Sequence, residues 1–138
     1  MLAALHAAGG AHRALRPEVL IASGHLLRLR DVGLAATPPA VGEGPPEYRA
    51  PEQERPLLSP PGPATDVFQL AAVVYHLATG QTAGGRPVPP SLLRPELTKA
   101  LDAPLLAGLA PEPVARPPLD RLVESLGGVL RGGGTVTC

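Results

Sequence analysis

Aromatic side chains are almost missing from this chain: Tyr48, Phe68 and Tyr75 are the only ones in 138 residues, and tryptophan is absent. A core must therefore be built from Leu, Val and Ala. There is one cysteine, Cys138. It can make no internal disulfide, so a reducing compartment is expected, and it lacks the following residues that a prenylation signal requires. No run of about 18 apolar residues occurs, which argues against a membrane-spanning helix. The apolar start has no basic leader, and His12-Arg13 stands where a cleavage site would be, so no signal peptide is expected. Formal net charge is zero; no field of one sign is present to attract nucleic acid or an acidic membrane. A cytoplasmic protein with neither as its partner is the expectation. Lysine is nearly missing too, with Lys99 the single example among the cations.

What is abundant is proline and glycine, 19 and 16 residues, about a quarter of the chain. Leu2 to Ala8 reads as the end of a helix stopped by Gly9-Gly10. Ala11 to Val19 reads as loop, because Pro17 fixes its own φ and biases Arg16 away from the helical region. Val19 to Ala22 and His25 to Arg30 form two short strands around a Ser23-Gly24 turn. Asp31 to Tyr48 lacks periodicity, and Leu57 to Pro63 is a proline-rich linker. Thr65 is placed to cap a helix reaching Gly80, with Asp66 in its first turn and Val67, Leu70, Ala71, Val74 and Leu77 at helical spacing. Val73 and Tyr75 widen that stripe almost all round, the mark of a buried helix. Gln81 to Pro90 is irregular, Asp102 to Leu109 is a short helix, and Pro118 to Leu130 is an amphipathic one through Leu119, Leu122, Val123 and Leu126. The chain thus divides into one domain over 1–130 and a flexible tail over 131–138. His6, His25 and His76 lie apart with no Cys or acidic partner at ligand spacing, so no metal site is expected.

Three pieces carry chemistry by their order: His12-Arg13-Ala14-Leu15, Asp31-Val32-Gly33 and Ala50-Pro51-Glu52. With Pro17-Glu18, Asp66 and Arg116 they make six landmarks in sequence, and together they resemble the catalytic half of a protein kinase domain. The stretch Glu47 to Gln53, EYRAPEQ, is closest to the bacterial serine/threonine kinases. In that family an H-R-D-L-x-x-x-N loop, a D-F-G and an A-P-E each have a mechanical task. The resemblance implies a mainly α fold with one small β-hairpin: the C-lobe of the kinase fold, with the N-lobe missing. No G-x-G-x-x-G or V-A-I-K stretch occurs in the sequence. It also implies that His12 is a core histidine, that Asp66 bonds the loop's backbone, and that Glu52 pairs with Arg116. Arg13 would grip a phosphate on the activation segment, where Thr37 is the one hydroxyl besides Tyr48; a free surface arginine is the plainer reading.

The departures fall on the reacting positions. Ala14 stands where the proton-accepting Asp belongs, and Val19 where the metal-binding Asn belongs. Arg16 replaces the catalytic lysine, and Pro45 replaces the threonine of the substrate groove. Only Asp31 is left as a vestigial ligand for Mg-ATP. The expectation is a degenerate kinase-like domain with no cofactor, acting as a protein-interaction module. A partner protein or a second copy would cover the face left by the missing lobe, including Val73, Val74, Leu77, Leu26, Leu27 and Leu29. Two alternatives stand beside it. One is the C-terminal half of an active serine/threonine kinase, using Mg-ATP, whose N-lobe lies upstream or on another chain. The other is a decaying reading frame without a function.

Overall fold

The computed structural model describes residues 2–16, 20–23, 26–29 and 38–132. Five helices and one hairpin make up the regular structure of these residues: α1 (Leu2–Ala7), β1 (Leu20–Ser23), β2 (Leu26–Leu29), α2 (Pro63–Thr79), α3 (Pro90–Leu93), α4 (Asp102–Gly108) and α5 (Leu119–Gly132). Single 3₁₀ turns at Pro51–Glu54, Lys99–Leu101 and Pro113–Ala115 join them. The domain is mostly helical, as the sequence leads one to expect.

The hairpin is antiparallel, with Leu20 opposite Leu29 and Ser23 opposite Leu26. Ser23 is therefore a strand residue and not part of the turn. A serine accepts extended backbone as readily as a turn; Val19, Gly24, His25 and Arg30 lie outside the described residues.

α2 is the central element. Its start also differs from expectation: Pro63 opens the helix and Gly62 is its N-cap. Proline suits a first turn because its missing N–H would have had no intrahelical partner. Thr65 sits inside the helix, where its hydroxyl accepts the Gly62 N–H at 2.9 Å and donates to Glu52 at 2.8 Å. It serves the cap from within, which a search for a leading Ser or Thr does not reveal. The helix ends at Gly80, whose N–H reaches the His76 carbonyl at 2.8 Å.

One side of α2 packs against α4 and α5 through Ala71, Ala72, Tyr75, Leu105, Leu109, Leu122 and Leu126. The approach is close. A Cβ added at Gly108 would lie 2.7 Å from the Ala71 Cβ, so α4 reaches α2 only because that position has no side chain. With so few rings available, small residues bring helices near enough for Leu to fill what remains. Tyr75 donates its buried phenol to the Val88 carbonyl at 2.8 Å, and Ser91 at the start of α3 bonds Asp102 at 2.6 Å.

Of the α2 residues expected on the face left by the missing lobe, Leu77 is 70% exposed, whereas Val73 is buried at 1% exposure. Buried Thr65, Asp66 and Gln69 occupy part of the interior side of α2, and polar positions do not register in a count of apolar spacing. In α5, Leu122 and Leu126 are buried, whereas Val123 is exposed. α5 also continues to Gly132, two residues into the expected tail. Gly127-Gly128 lowers helix propensity by about 1 kcal/mol per glycine but does not break the backbone pattern.

Candidate functional site

Ala11 to Leu15 has no regular structure, yet every residue of it is buried. A buried loop must find a partner for each backbone N–H and C=O. Here side chains from two other elements supply them. Asp66, in the first turn of α2, accepts the N–H of His12 on Oδ2 and that of Arg13 on Oδ1, both at 2.7 Å. Its Oδ2 also meets His6 Nε2 of α1 at 2.7 Å. The Ala14 N–H reaches His12 Nδ1 at 3.2 Å, which makes that nitrogen the acceptor. Gln69, one helical turn past Asp66, accepts the Leu15 N–H at 3.0 Å. The Arg13 carbonyl takes two bonds, from Gln53 Nε2 at 2.7 Å and Gln69 Nε2 at 2.9 Å. The two amides are joined to each other at 3.0 Å. Four consecutive N–H groups and one carbonyl are thereby satisfied without any ladder.

The loop so held presents Ala14 at the expected proton-accepting position. Ala14 is buried and its side chain is a methyl group. Arg16 is half-buried. Val19 and Asp31, the other expected reaction positions, and Thr37 lie outside the described residues.

Arg13 is not a free surface arginine. It is 4% exposed, and its Nη1 lies 3.3 Å from Glu43 Oε1. Its burial comes from a segment 30 residues away folding over it, which local sequence cannot report. Its backbone has φ +64, a left-handed conformation uncommon for a residue with a side chain.

Below the loop, Arg116 meets Glu52 through two parallel bonds, Nη1 to Oε2 at 2.6 Å and Nη2 to Oε1 at 2.9 Å. Three carbonyls take its remaining donors: Ala110 from Nε, Ala64 from Nη1 and Pro111 from Nη2. All five guanidinium donors are thus used, and the plane stands 4.9 Å over the Phe68 ring. Burial alone would push the Glu52 carboxyl up. The bonds from Arg116, the backbone and the Thr65 hydroxyl outweigh it, and they hold the group below the ordinary glutamate range.

Sequence reasoning missed Gln53, Gln69 and Glu43, and the bond from Thr65 to Glu52. Neutral amides carry no charge pattern, but one signal existed: Gln69 lies three residues after Asp66 and so shares its helix face. It also missed the acidic partner of His6, which is 60 residues distant. His76 Nδ1 bonds the Tyr48 hydroxyl at 2.8 Å, and His25 lies outside the described residues. Among the described residues no three His, Cys, Asp or Glu side chains are placed to hold a metal ion, and no helix is long and apolar enough to cross a membrane. An open groove of about 520 Å³, lined by His6, Pro63, Val67, Val114, Pro118 and Leu119 among others, lies on the α1–α5 side and does not include Ala14 or Arg13.

No family model matches the chain. Curated relatives do. It is 35% identical over 116 residues to the serine/threonine-protein kinase PkaB of Streptomyces coelicolor, covering 72% of this chain and 27% of that protein. It is 37% identical over 89 residues to the serine/threonine-protein kinase PknL of Mycobacterium tuberculosis, covering 59% of this chain and 22% of that one. The chain therefore spans about a quarter of the length of these relatives. Among solved structures, a double mutant of the Mycobacterium tuberculosis PknI kinase domain superimposes with a TM-score of 0.69 at 25% identity, over 92% of this chain and 49% of that one. By sequence and by fold, the chain is a protein kinase-like domain related to the bacterial serine/threonine kinases.

Proposed function

We propose that this is a pseudokinase: the C-lobe of the kinase fold, kept as a non-catalytic protein-interaction module. The observation that carries the reading is Ala14, a methyl group at the expected proton-accepting position of a loop held by bonds to four consecutive N–H groups and one carbonyl. Phosphoryl transfer is largely positioning and charge neutralisation, and the missing parts are those that neutralise and accept. An alanine takes no proton, and loss of a positioned base lowers rate by a factor on the order of 10²–10⁴. Val19 offers no oxygen to magnesium. The donor set therefore does not fit Mg-ATP, and no catalytic step is assigned to these residues. Asp31 remains as one carboxylate.

An interaction role needs a surface, and Leu77, 70% exposed on α2, is an apolar residue that a partner protein or a second copy would cover. The reading places the protein in the cytoplasm. Incubation of the purified chain with labelled ATP, magnesium or manganese and a basic protein substrate should give no incorporation above a blank. Millimolar Mg-ATP should leave the melting temperature unchanged, whereas occupancy at 100 times Kd would stabilise by about 2.7 kcal/mol. Incorporation that is lost in Asp31→Ala would sink the proposal.

One observation favours a second reading. The chain matches about half of the PknI kinase domain, so an N-lobe encoded upstream or on another chain would complete a domain of ordinary size. A transcript extending upstream into a glycine-rich loop and a lysine-bearing strand would support it.

A further inference from the structure

Leu57 and Leu58 stand side by side and are 96% and 80% exposed. The turn that carries them is nevertheless firmly built. The N–H groups of Leu58 and Ser59 both reach the Arg55 carbonyl, at 3.0 and 3.1 Å, and the Arg55 N–H reaches the Glu52 carbonyl at 3.1 Å. Glu52 is in turn held by Arg116. Pro56, Pro60 and Pro61 fix three φ angles around the pair. From Pro56 to Thr65 no residue carries a charge. The turn is thus a preorganised, uncharged projection, and its docking would lose little conformational freedom.

A matching concavity lies next to it in the chain. The groove of about 520 Å³ is lined by Pro63, five residues after Leu58, and by Val67, Val114, Pro118, Leu119 and His6. Its two basic side chains are already engaged. His6 Nε2 meets Asp66 at 2.7 Å, and Arg116 spends its donors on Glu52 and three carbonyls. Asp120, which also lines the groove, is exposed. An apolar concavity with its basic groups committed selects an uncharged, apolar occupant.

We infer that this face docks a second copy of the chain, with Leu57 and Leu58 of each protomer seated in the groove of the other. The exposure of both leucines shows that neither occupies the groove of its own chain. Projection and groove adjoin the same helix start, so a copy seated on one meets the other, and the contact closes two-fold instead of running on. The inference concerns the start of α2 rather than the Leu77 side, and it does not depend on whether the chain is catalytic.

Sedimentation equilibrium of the full chain tests it: the parent should pass from monomer to dimer as concentration rises. Leu57→Ser with Leu58→Ser removes the projection, and Val114→Arg sets a large charged side chain on the groove wall. Val114 is 95% exposed, so, as for the leucines, the urea midpoint should stay at the parent's. Each variant should dimerise on the order of tenfold more weakly. Mixed together, the two variants should associate more tightly than either alone, because one keeps its groove and the other its leucines. A parent that stays monomeric at every concentration would overturn the inference. So would dimerisation that neither variant weakens, which would place the contact elsewhere, or a mixture no heavier than its components. Should Val114→Arg fail to fold, the leucine pair alone decides.

Discussion

The two sides of α2 are held by different physics. Toward α4 and α5 the contact is apolar: Ala71, Ala72 and Tyr75 against Leu105, Leu109 and Leu122. Toward the 11–16 loop and the Ala50–Glu54 turn it is polar: Thr65, Asp66 and Gln69, all buried, each bonded to a backbone group or to Glu52. The apolar side tolerates exchange of one shape for another, because dispersion and burial are non-directional. The polar side has no such latitude. Its bonds are directional and fixed in partner, and removing one group leaves a buried partner short of a bond. That side carries the 11–15 loop, whose backbone it holds in place.

The comparison can be broken most sharply at Arg116. Arg116→Ala leaves Glu52 buried and unpaired, and we expect a loss of about 3–5 kcal/mol in urea unfolding. The paired change Glu52→Leu with Arg116→Met should recover most of that loss. Failure to recover would show that the carbonyl bonds, rather than the ion pair, hold this side. On the apolar side, Leu105→Ala should cost about 2–5 kcal/mol through the cavity it opens. It should do so without a local signature: exchange in the loop and in α5 should rise together.

Next in size is Asp66→Asn. One acceptor oxygen becomes a donor facing an N–H, and we expect a loss of about 1–3 kcal/mol, with exchange fastest at His12 and Arg13. Uniform acceleration would contradict the division into two sides. Lowering pH probes the same side without mutation. Glu52 has its folded pKa below the ordinary glutamate value, so its contribution is complete above that ordinary value and is lost as pH falls through the depressed folded one. Unfolding free energy should therefore drop steeply below about pH 4.3, the ordinary glutamate value, and the Leu–Met pair should show a shallower drop. The smallest effect is expected for Thr65→Val, about 1 kcal/mol, because only the cap bond and one bond to Glu52 disappear.

How much of this could be read from the sequence follows the same line. The residues that were legible are those the kinase resemblance marks: Asp66, Glu52 and Arg116 could be singled out before any coordinates. Gln53 and Gln69 complete the same network but are neutral, and nothing in composition separates a bracing amide from a surface one. Arg13 was misread because burial by a segment 30 residues onward is not a local property. Thr65 was assigned the right task at the wrong position, since Pro63 starts the helix two residues earlier. Val73 of α2 was expected on the open face and is buried, because Asp66 and Gln69, which a count of apolar spacing does not register, also face inward. Of the expected reacting positions only Ala14 and Arg16 are among the described residues; Val19 and Asp31 lie outside them.

Arg116 has a further consequence, for the order of folding. Its partners Glu52 and Ala64 are 64 and 52 residues away in the chain, and its donors can be filled only when α2, the A-P-E turn and the 110–111 bend are already in place. Closing loops of that length costs entropy before any bond returns it. We therefore expect the guanidinium to be a late arrival, seated after the transition state. Arg116→Lys, which can fill three donors at most, should leave the refolding rate nearly unchanged and speed unfolding. What the residue governs is how long the assembled domain stays closed.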